Sequence, residues 1–181
     1  MAIAIVQSKL IDDHSGGATA TKVVSFDSAI TPGNCVVIFF SVSYGGTRGT
    51  FTVTDEDTNT VTRIAGAFAN GGFANLYDVQ CFVRENYPGA GIDFTLDTDE
   101  NDFGSLTAWL LELSGVATAS AVTDSAAAVQ TTTGTGTDAI TTGSVLTPSA
   151  AGDWILAYVR NLEDSGTTSA GTGYTDRTGN A

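Results

Sequence analysis

Few residues in this chain have the types and spacing that chemistry requires, and the first is a single histidine. His14 stands directly before Ser15 in an Asp-Asp-His-Ser-Gly-Gly stretch that is typical of a turn. A Ser-His-Asp catalyst must bring its serine and histidine together across the fold, which sequence neighbours do not do. One histidine and two cysteines also lack a recognisable zinc-ligand spacing. We therefore interpret His14 as a solvated turn residue.

Two acidic stretches could supply oxygen ligands to calcium. The candidate ligands are Asp97, Asp99, Asn101, Asp55 and Asp57. Carboxylate and amide oxygens are the ligands that Ca²⁺ takes in proteins. The stretch that begins at Asp97 departs from the EF-hand pattern, because its sixth residue is Asp102 rather than glycine and its twelfth is Ala108 rather than glutamate. Solvated acidic loops are the favoured interpretation and calcium ligation is the alternative, and no cofactor other than calcium is indicated.

Two further acids lie next to strongly apolar stretches and could form a carboxylate pair. Glycoside hydrolysis needs two carboxylates that flank a cleft, and Glu112 and Asp153 are the candidates. Glu112 lies on the same strand face as Leu110, and we expect its side chain to point to solvent or to a sheet edge. No catalytic residue is predicted from these patterns, which favour a protein that is not an enzyme.

The element around which the chain is organised runs from Asn34 to Tyr44. Both of its alternating faces are rich in apolar residues, and Gly33 and Gly45 flank it. A strand that is apolar on both faces belongs in the middle of a sheet. We expect its partners to be the strands that carry Cys81, Trp109 and Trp154.

Other alternating runs are separated by Gly, Pro, Asn and Asp turns. The remaining predicted strands are Ala2–Leu10, Thr21–Phe26, Phe51–Thr54, Thr60–Ile64, Asn75–Arg84, Ile92–Leu96, Leu106–Ser114 and Asp153–Asn161. Phe51–Thr54 and Thr60–Ile64 are predicted to form a hairpin, and residues 65–74 a loop. The face of Asn75–Arg84 that carries Asp78 and Gln80 is predicted to be half-exposed.

No segment of ten or more residues shows a helical period. The pattern predicts an all-β, two-sheet antiparallel β-sandwich, jelly-roll-like as the first choice and Ig-like as the alternative, with long Gly/Thr/Ser-rich loops. Residues 1–161 are predicted to form one domain, within which 115–143 make a long surface excursion. Residues 162–181 are predicted to be a polar C-terminal arm or a segment that a partner completes.

The chain is acidic, with a net charge of −13 from 20 acidic and 7 basic residues. Such a surface repels phosphate groups, so nucleic acid and anionic membranes are not expected as partners. The acidity favours solubility, divalent cations or a basic partner surface. Cys35 and Cys81 are interpreted as buried thiols, with a disulfide as the alternative. The opening residues lack the basic region of a signal peptide, so synthesis in the cytoplasm is expected.

Several short signatures occur in a recognisable order. They are Ile30-Thr31-Pro32-Gly33-Asn34 before the apolar strand, Val53-Thr54-Asp55 followed by Asn59-Thr60-Val61-Thr62-Arg63, Leu110-Leu111-Glu112-Leu113-Ser114-Gly115-Val116, and Gly152-Asp153-Trp154-Ile155-Leu156-Ala157. In this order the chain resembles β-sandwich domains of tailed-phage virion proteins and of some bacterial surface proteins. It departs from them at Thr58, where a glycine usually precedes the Asn of the tip. The resemblance implies a structural or adhesive role and transfers no catalytic residue.

The resemblance leads to two functional hypotheses. The first is a bacteriophage virion protein, most simply a capsid decoration (cement) protein that stabilises the shell by bridging its subunits. Its partners would be capsid or other virion proteins and further copies of itself, and its location would be the virion after synthesis in the host cytoplasm. The alternative is a carbohydrate-binding or host-adhesion module of a tail fibre or an extracellular surface protein.

Overall fold

A computed structural model describes residues 2–13, 19–45, 49–70, 75–89, 91–99, 103–122 and 152–158 of the chain. Within these residues every regular element is a β-strand. The strands are β1 (Ala4–Asp13), β2 (Thr21–Ser25), β3 (Cys35–Gly45), β4 (Phe51–Asp55), β5 (Thr62–Asn70), β6 (Asn75–Arg84), β7 (Asp93–Thr98) and β8 (Ser105–Ser114).

The strands form two antiparallel sheets, which confirms the predicted all-β sandwich. The larger sheet has the order β1-β8-β3-β6-β5 and the smaller one β2-β7-β4. The pairing is nested, because the first strand lies beside the eighth, the second beside the seventh and the third beside the sixth. The chain thus behaves as one long hairpin that is wrapped over itself, with its turn between β4 and β5.

β3 lies at the centre of the larger sheet, between β6 and β8, as its two apolar faces predict. One face, with Val36, Ile38 and Phe40, packs into the core between the sheets. The other carries Val37 and Phe39 into a second apolar cluster on the outer face of the larger sheet. Burying each of these large side chains contributes about 1.5–3 kcal/mol.

The predicted strand at Asp153–Asn161 is wrong for its described part. Residues 153–158 pair with no described strand, and Trp154 is 42% exposed instead of forming part of the core. Gly152 has φ +97°, which turns the chain, and Leu156 and Tyr158 then pack on the outer apolar cluster. Residues 153–158 therefore lie over the larger sheet as a covering segment and do not extend it.

The loop predicted at residues 65–74 is also wrong for its described part, because β5 continues to Asn70 and pairs with β6. At one of these positions, Gly66, the lack of a side chain has a packing reason. A Cβ on Gly66 would lie 2.3 Å from Nη2 of Arg63 and 2.4 Å from Oε1 of Gln80. A side chain at this position would therefore displace the ends of Arg63 and Gln80.

The predicted hairpin between β4 and β5 exists only at its tip. Val61 N–H donates to Val53 O over 2.7 Å, and Thr54 forms an isolated bridge with Thr60. Beyond this point β4 pairs with β7 in the smaller sheet, whereas β5 pairs with β6 in the larger one. The tip is therefore a crossing between the two layers.

The structure describes the predicted excursion at 115–143 only as far as residue 122, and no strand occurs between residues 115 and 122. Residues 162–181, predicted to be an arm, lie outside the described residues.

Candidate functional site

The first pair of candidate calcium ligands caps the turn at the tip. Asp55 is buried, and its Oδ1 accepts hydrogen bonds from the backbone N–H of Asp57 at 3.1 Å and of Asn59 at 2.8 Å. The side-chain amide of Asn59 donates to the same carboxylate over 3.1 Å and 3.2 Å. This carboxylate closes the turn, a role that Asp often takes. Asp57 itself is exposed.

The second pair joins strands at the opposite end of the smaller sheet. Oδ1 of Asp97 accepts from the hydroxyl of Thr21 at 2.9 Å, and Oδ1 of Asp99 accepts from the N–H of Thr50 at 2.6 Å. Asn101 and His14 lie outside the described residues. Because β4 and β7 are antiparallel, Asp97 lies across from Thr52, three residues before Asp55 on β4.

The structure therefore does not bring the two acidic pairs together. Within the described ranges, no group of three or more His, Cys, Asp or Glu side chains could hold a metal ion. Each of Asp55, Asp97 and Asp99 has a structural bond that accounts for it.

Glu112 is a buried acid with several hydrogen-bond donors, and the expectation that it points to solvent or an edge is wrong. It is 0% exposed and lies on the inner face of β8. Its Oε1 accepts from Nδ2 of Asn34 at 2.5 Å and from the N–H of Thr31 at 2.9 Å, and its Oε2 accepts from Nε2 of Gln7 at 2.6 Å. These donors satisfy a carboxylate whose burial would otherwise be costly.

The same bonds decide the charge of this carboxyl. Burial raises its pKa, but the hydrogen bonds from Asn34, Gln7 and the backbone of Thr31 outweigh burial, so the pKa lies below its ordinary value. Glu112 is therefore an ionised anchor for the turn that precedes β3. Asp153, its proposed partner in a glycosidase pair, is exposed at the start of the covering segment. The two acids occupy different environments, and Glu112 is sealed from solvent.

A second buried polar group lies on the inner face of β6, on the face predicted to be half-exposed. Asp78 is 0% exposed, and it accepts a short hydrogen bond from Nε2 of Gln80. Oε1 of Gln80 in turn accepts from Nε of Arg63 at 2.5 Å. The half-exposed prediction is wrong for Asp78 and Gln80, because their side chains are buried and hydrogen-bonded to each other.

Both cysteines are free thiols, as interpreted, but only Cys35 is buried, whereas Cys81 is half-buried. Burial and then the nearby charge of Glu85 raise the pKa of Cys35 to about 11. Burial and then Cys35 raise the pKa of Cys81 to about 12. Neither thiol is a thiolate at neutral pH, which makes both poor nucleophiles and poor metal ligands.

The covering segment is held by Tyr158. Its ring stacks on Phe39 with centroids 5.6 Å apart and an angle of 12°. Its hydroxyl lies 3.1 Å from Oγ of Ser41 and donates to Thr107 O over 3.4 Å. At its other end, Trp154 and Asp153 form a wall of a half-open cleft of about 430 Å³. Small residues that follow β8 and precede β1, among them Gly115, form the rest.

The burial of Glu112, Asp78 and Gln80 was not predicted, because polar residues that alternate with apolar ones in a strand usually face solvent. Asn34 and Glu112 belong to two of the short signatures quoted from the sequence, and these signatures were the signal that could have linked the pair. No signal in the sequence linked Trp154 to the segment after β8. The described residues contain no helix that is long and apolar enough to cross a membrane.

Comparisons with known proteins add no relative to this chain. No family model, no curated protein and no solved structure matches it.

Proposed function

We propose that this chain is a non-enzymatic structural protein of a tailed-phage virion, most specifically a capsid decoration (cement) protein. It would bind the assembled shell, together with further copies of itself, and stabilise it by bridging neighbouring subunits. Its action is association, and its stabilising effect comes from the surface that it buries between capsid subunits.

The observation that carries this proposal is the way the sandwich uses its acids. Glu112 and Asp55 are buried and hold turns, and Asp97 and Asp99 join neighbouring segments. A scaffold whose carboxylates are engaged in this way supports a structural role better than a catalytic one.

The strand order adds support. The nested pairing places β1, β8, β3 and β6 in one sheet and β2, β7 and β4 in the other, and β4 meets the start of β5 at the tip. This pattern favours the jelly-roll form over the Ig-like form, and jelly rolls are common in viral capsid proteins. The strand order is a fold-level analogy and supports the location in a virion only to that extent.

Exposed apolar side chains supply the surface for association. Leu10 on β1 is 43% exposed, and it lies across from Trp109 on the outer face of the larger sheet. Trp154 of the covering segment is exposed to a similar degree. Burial of large exposed apolar groups such as these is typical of protein interfaces.

The test is co-sedimentation with heads of the encoding phage that were assembled without this protein. We expect the purified chain to sediment with the heads and to raise the temperature at which they release DNA. A chain that stays in the supernatant at all concentrations, and leaves head stability unchanged, would contradict the proposal.

The alternative function, a carbohydrate-binding or host-adhesion module, has one observation in its favour. Trp154 presents its ring at a cleft beside an exposed carboxylate, and an aromatic ring with neighbouring polar groups can hold a sugar. Retention of the isolated chain on a glycan array, combined with no binding to heads, would favour this alternative.

A further inference from the structure

We propose that the cleft formed by Trp154, Asp153 and the segment after β8 is a docking site for a cationic side chain, arginine or lysine, of a partner protein. This inference rests on the proposed function, because it names the part of the chain that would contact the capsid. It commits to a basic protein segment as the occupant.

The cleft has the size of a binding site and one aromatic wall. Its volume of about 430 Å³ falls within the range of roughly 300–1,000 Å³ that is usual for ligand sites. One wall is the indole of Trp154, which is the aromatic side chain that attracts cations most strongly. Asp153 stands next to it in the chain and is exposed, so a cation above the indole would also be within the field of a carboxylate.

Charge complementarity favours a cation over a neutral or acidic ligand. The chain has a net charge of −13, and the described lining residues include Asp153 but no Lys, Arg or His. Glu85 adds a second carboxylate at the margin, because its Oε1 accepts from the N–H of the lining residue Ala121 at 2.5 Å. An arginine would meet opposite charge and an aromatic face together, a combination that its planar guanidinium suits.

The backbone around the cleft holds its shape. Gly115 has φ +73°, and a Cβ there would lie 2.3 Å from Ala2 O, so the two ends of the cleft wall are in close contact. Ser120 also has a positive φ, of 53°, which is uncommon for a residue with a side chain. The bond from Ala121 to Glu85 ties this segment to the end of β6. These contacts restrain the backbone around the cleft, and a restrained site loses less conformational entropy on binding.

The test uses calorimetric titration with an arginine-glycine peptide and with the same peptide in which citrulline replaces arginine. Citrulline keeps the shape of arginine and lacks its charge. We expect the arginine peptide to bind more tightly, and Trp154→Ala and Asp153→Asn each to weaken its binding by about fivefold or more. Methyl glycosides are titrated in parallel.

Two further variants distinguish binding at the cleft from a general effect of the net charge of the chain. Asp57→Asn removes one negative charge from an exposed residue outside the cleft, and it should weaken binding by less than about twofold. Ala117→Arg places a guanidinium in the cleft from the chain itself, with the same change in net charge, and should abolish binding of the peptide. An equal effect of Asp57→Asn and Asp153→Asn would overturn the inference, as would binding of glycosides in place of the arginine peptide.

The phage heads distinguish this inference from the proposed function. If the wild-type chain does not sediment with heads, the proposed function fails. If it does, and Trp154→Ala and Asp153→Asn sediment equally well, the capsid role stands and the assignment of the cleft as its docking site is wrong. Loss of sedimentation in these two variants, but not in Asp57→Asn, is the result that we expect.

Discussion

Nδ2 of Asn34 donates to Oε1 of Glu112 over 2.5 Å and joins the turn before β3 to the inner face of β8. The two residues are 78 positions apart in the chain. Each belongs to one of the short sequence signatures on which the proposed virion role is based. The contact gives those signatures a physical meaning, because the turn and the glutamate are two halves of one buried hydrogen-bonded group.

Replacement of Glu112 should therefore be costly. Glu112→Gln keeps the size of the side chain but turns an amide N–H₂ toward groups that are themselves donors. We expect the free energy of unfolding to fall by about 2–3 kcal/mol, measured by urea denaturation. Glu56→Gln is the matched control, because Glu56 is exposed and accepts one bond of 3.2 Å from Ile92 N–H. A loss no larger than that of the control would show that the anchor contributes little.

The stability that Glu112 supplies should depend on pH. The pKa of its carboxyl is lowered from the ordinary value of 4.5 by folding, so its contribution is present above pH 4.5 and declines as the pH falls through that value toward the lower folded pKa. We expect the difference in unfolding free energy between wild type and Glu112→Gln to narrow below about pH 4.5. A difference that stays constant or widens there would contradict a lowered pKa.

Thr58 should be a site where a substitution stabilises the protein. It has φ +66°, a left-handed conformation that is unfavourable for a β-branched residue. Thr58→Gly removes this strain, and the greater freedom of glycine in the unfolded chain offsets part of the gain. We expect a rise of about 0.5–1 kcal/mol in the free energy of unfolding. Thermal denaturation measures it, and a fall would show that Thr58 is not strained.

Gly115 and Gly33 make a matched pair for the effect of a close contact. Both have a positive φ, of +73° and +90°. A Cβ on Gly33 meets nothing within 4 Å, whereas on Gly115 it would lie 2.3 Å from Ala2 O. Gly33→Ala should cost about 1–2 kcal/mol through backbone strain alone, and Gly115→Ala clearly more. Equal losses of unfolding free energy in urea denaturation would mean that the segment around Ala2 moves away from residue 115 without a cost in stability.

Tyr158 should hold the covering segment in place. Tyr158→Phe loses only the hydroxyl contacts and is expected to cost about 1 kcal/mol. Tyr158→Ala also loses the stacking on Phe39 and is expected to cost about 3 kcal/mol. Phe39 stacks on Trp109 with centroids 6.2 Å apart, so loss of the cover should expose Trp109 to water. The exposure of Trp109 is measured by its fluorescence emission in a Trp154→Phe background, where Trp109 is the remaining tryptophan. We expect a red shift of this emission in Tyr158→Ala and none in Tyr158→Phe.

The sequence predicted most strands because alternation and turn residues are local signals. It failed where packing decides. Residues 65–70 are rich in Ala and Gly, which suggests a loop, yet they form part of β5 through their pairing with β6. The exposure of polar residues was also beyond local signals, since the donors that permit burial of Glu112 come from distant parts of the chain.

The candidate sites show the same division. The acids at the tip and at the end of β7 were identified by composition, but their use as structural acceptors depends on the neighbours that the fold supplies. Trp154 has the apolar character of a core residue, and its exposure follows from the turn at Gly152, which carries the segment over the sheet.

The nested strand pairing has a consequence for how the chain folds as it is made. β1 is synthesised before the other strands, but its neighbour in the sheet is β8. Ala4 can therefore pair only after Ser114 has been synthesised. The first closure open to a growing chain is the tip between β4 and β5, followed by β3 with β6. Pairing of such long sequence separation is slow and leaves strand edges open to other chains. We expect a ribosome-bound chain that ends before β8 to be aggregation-prone and a frequent client of chaperones.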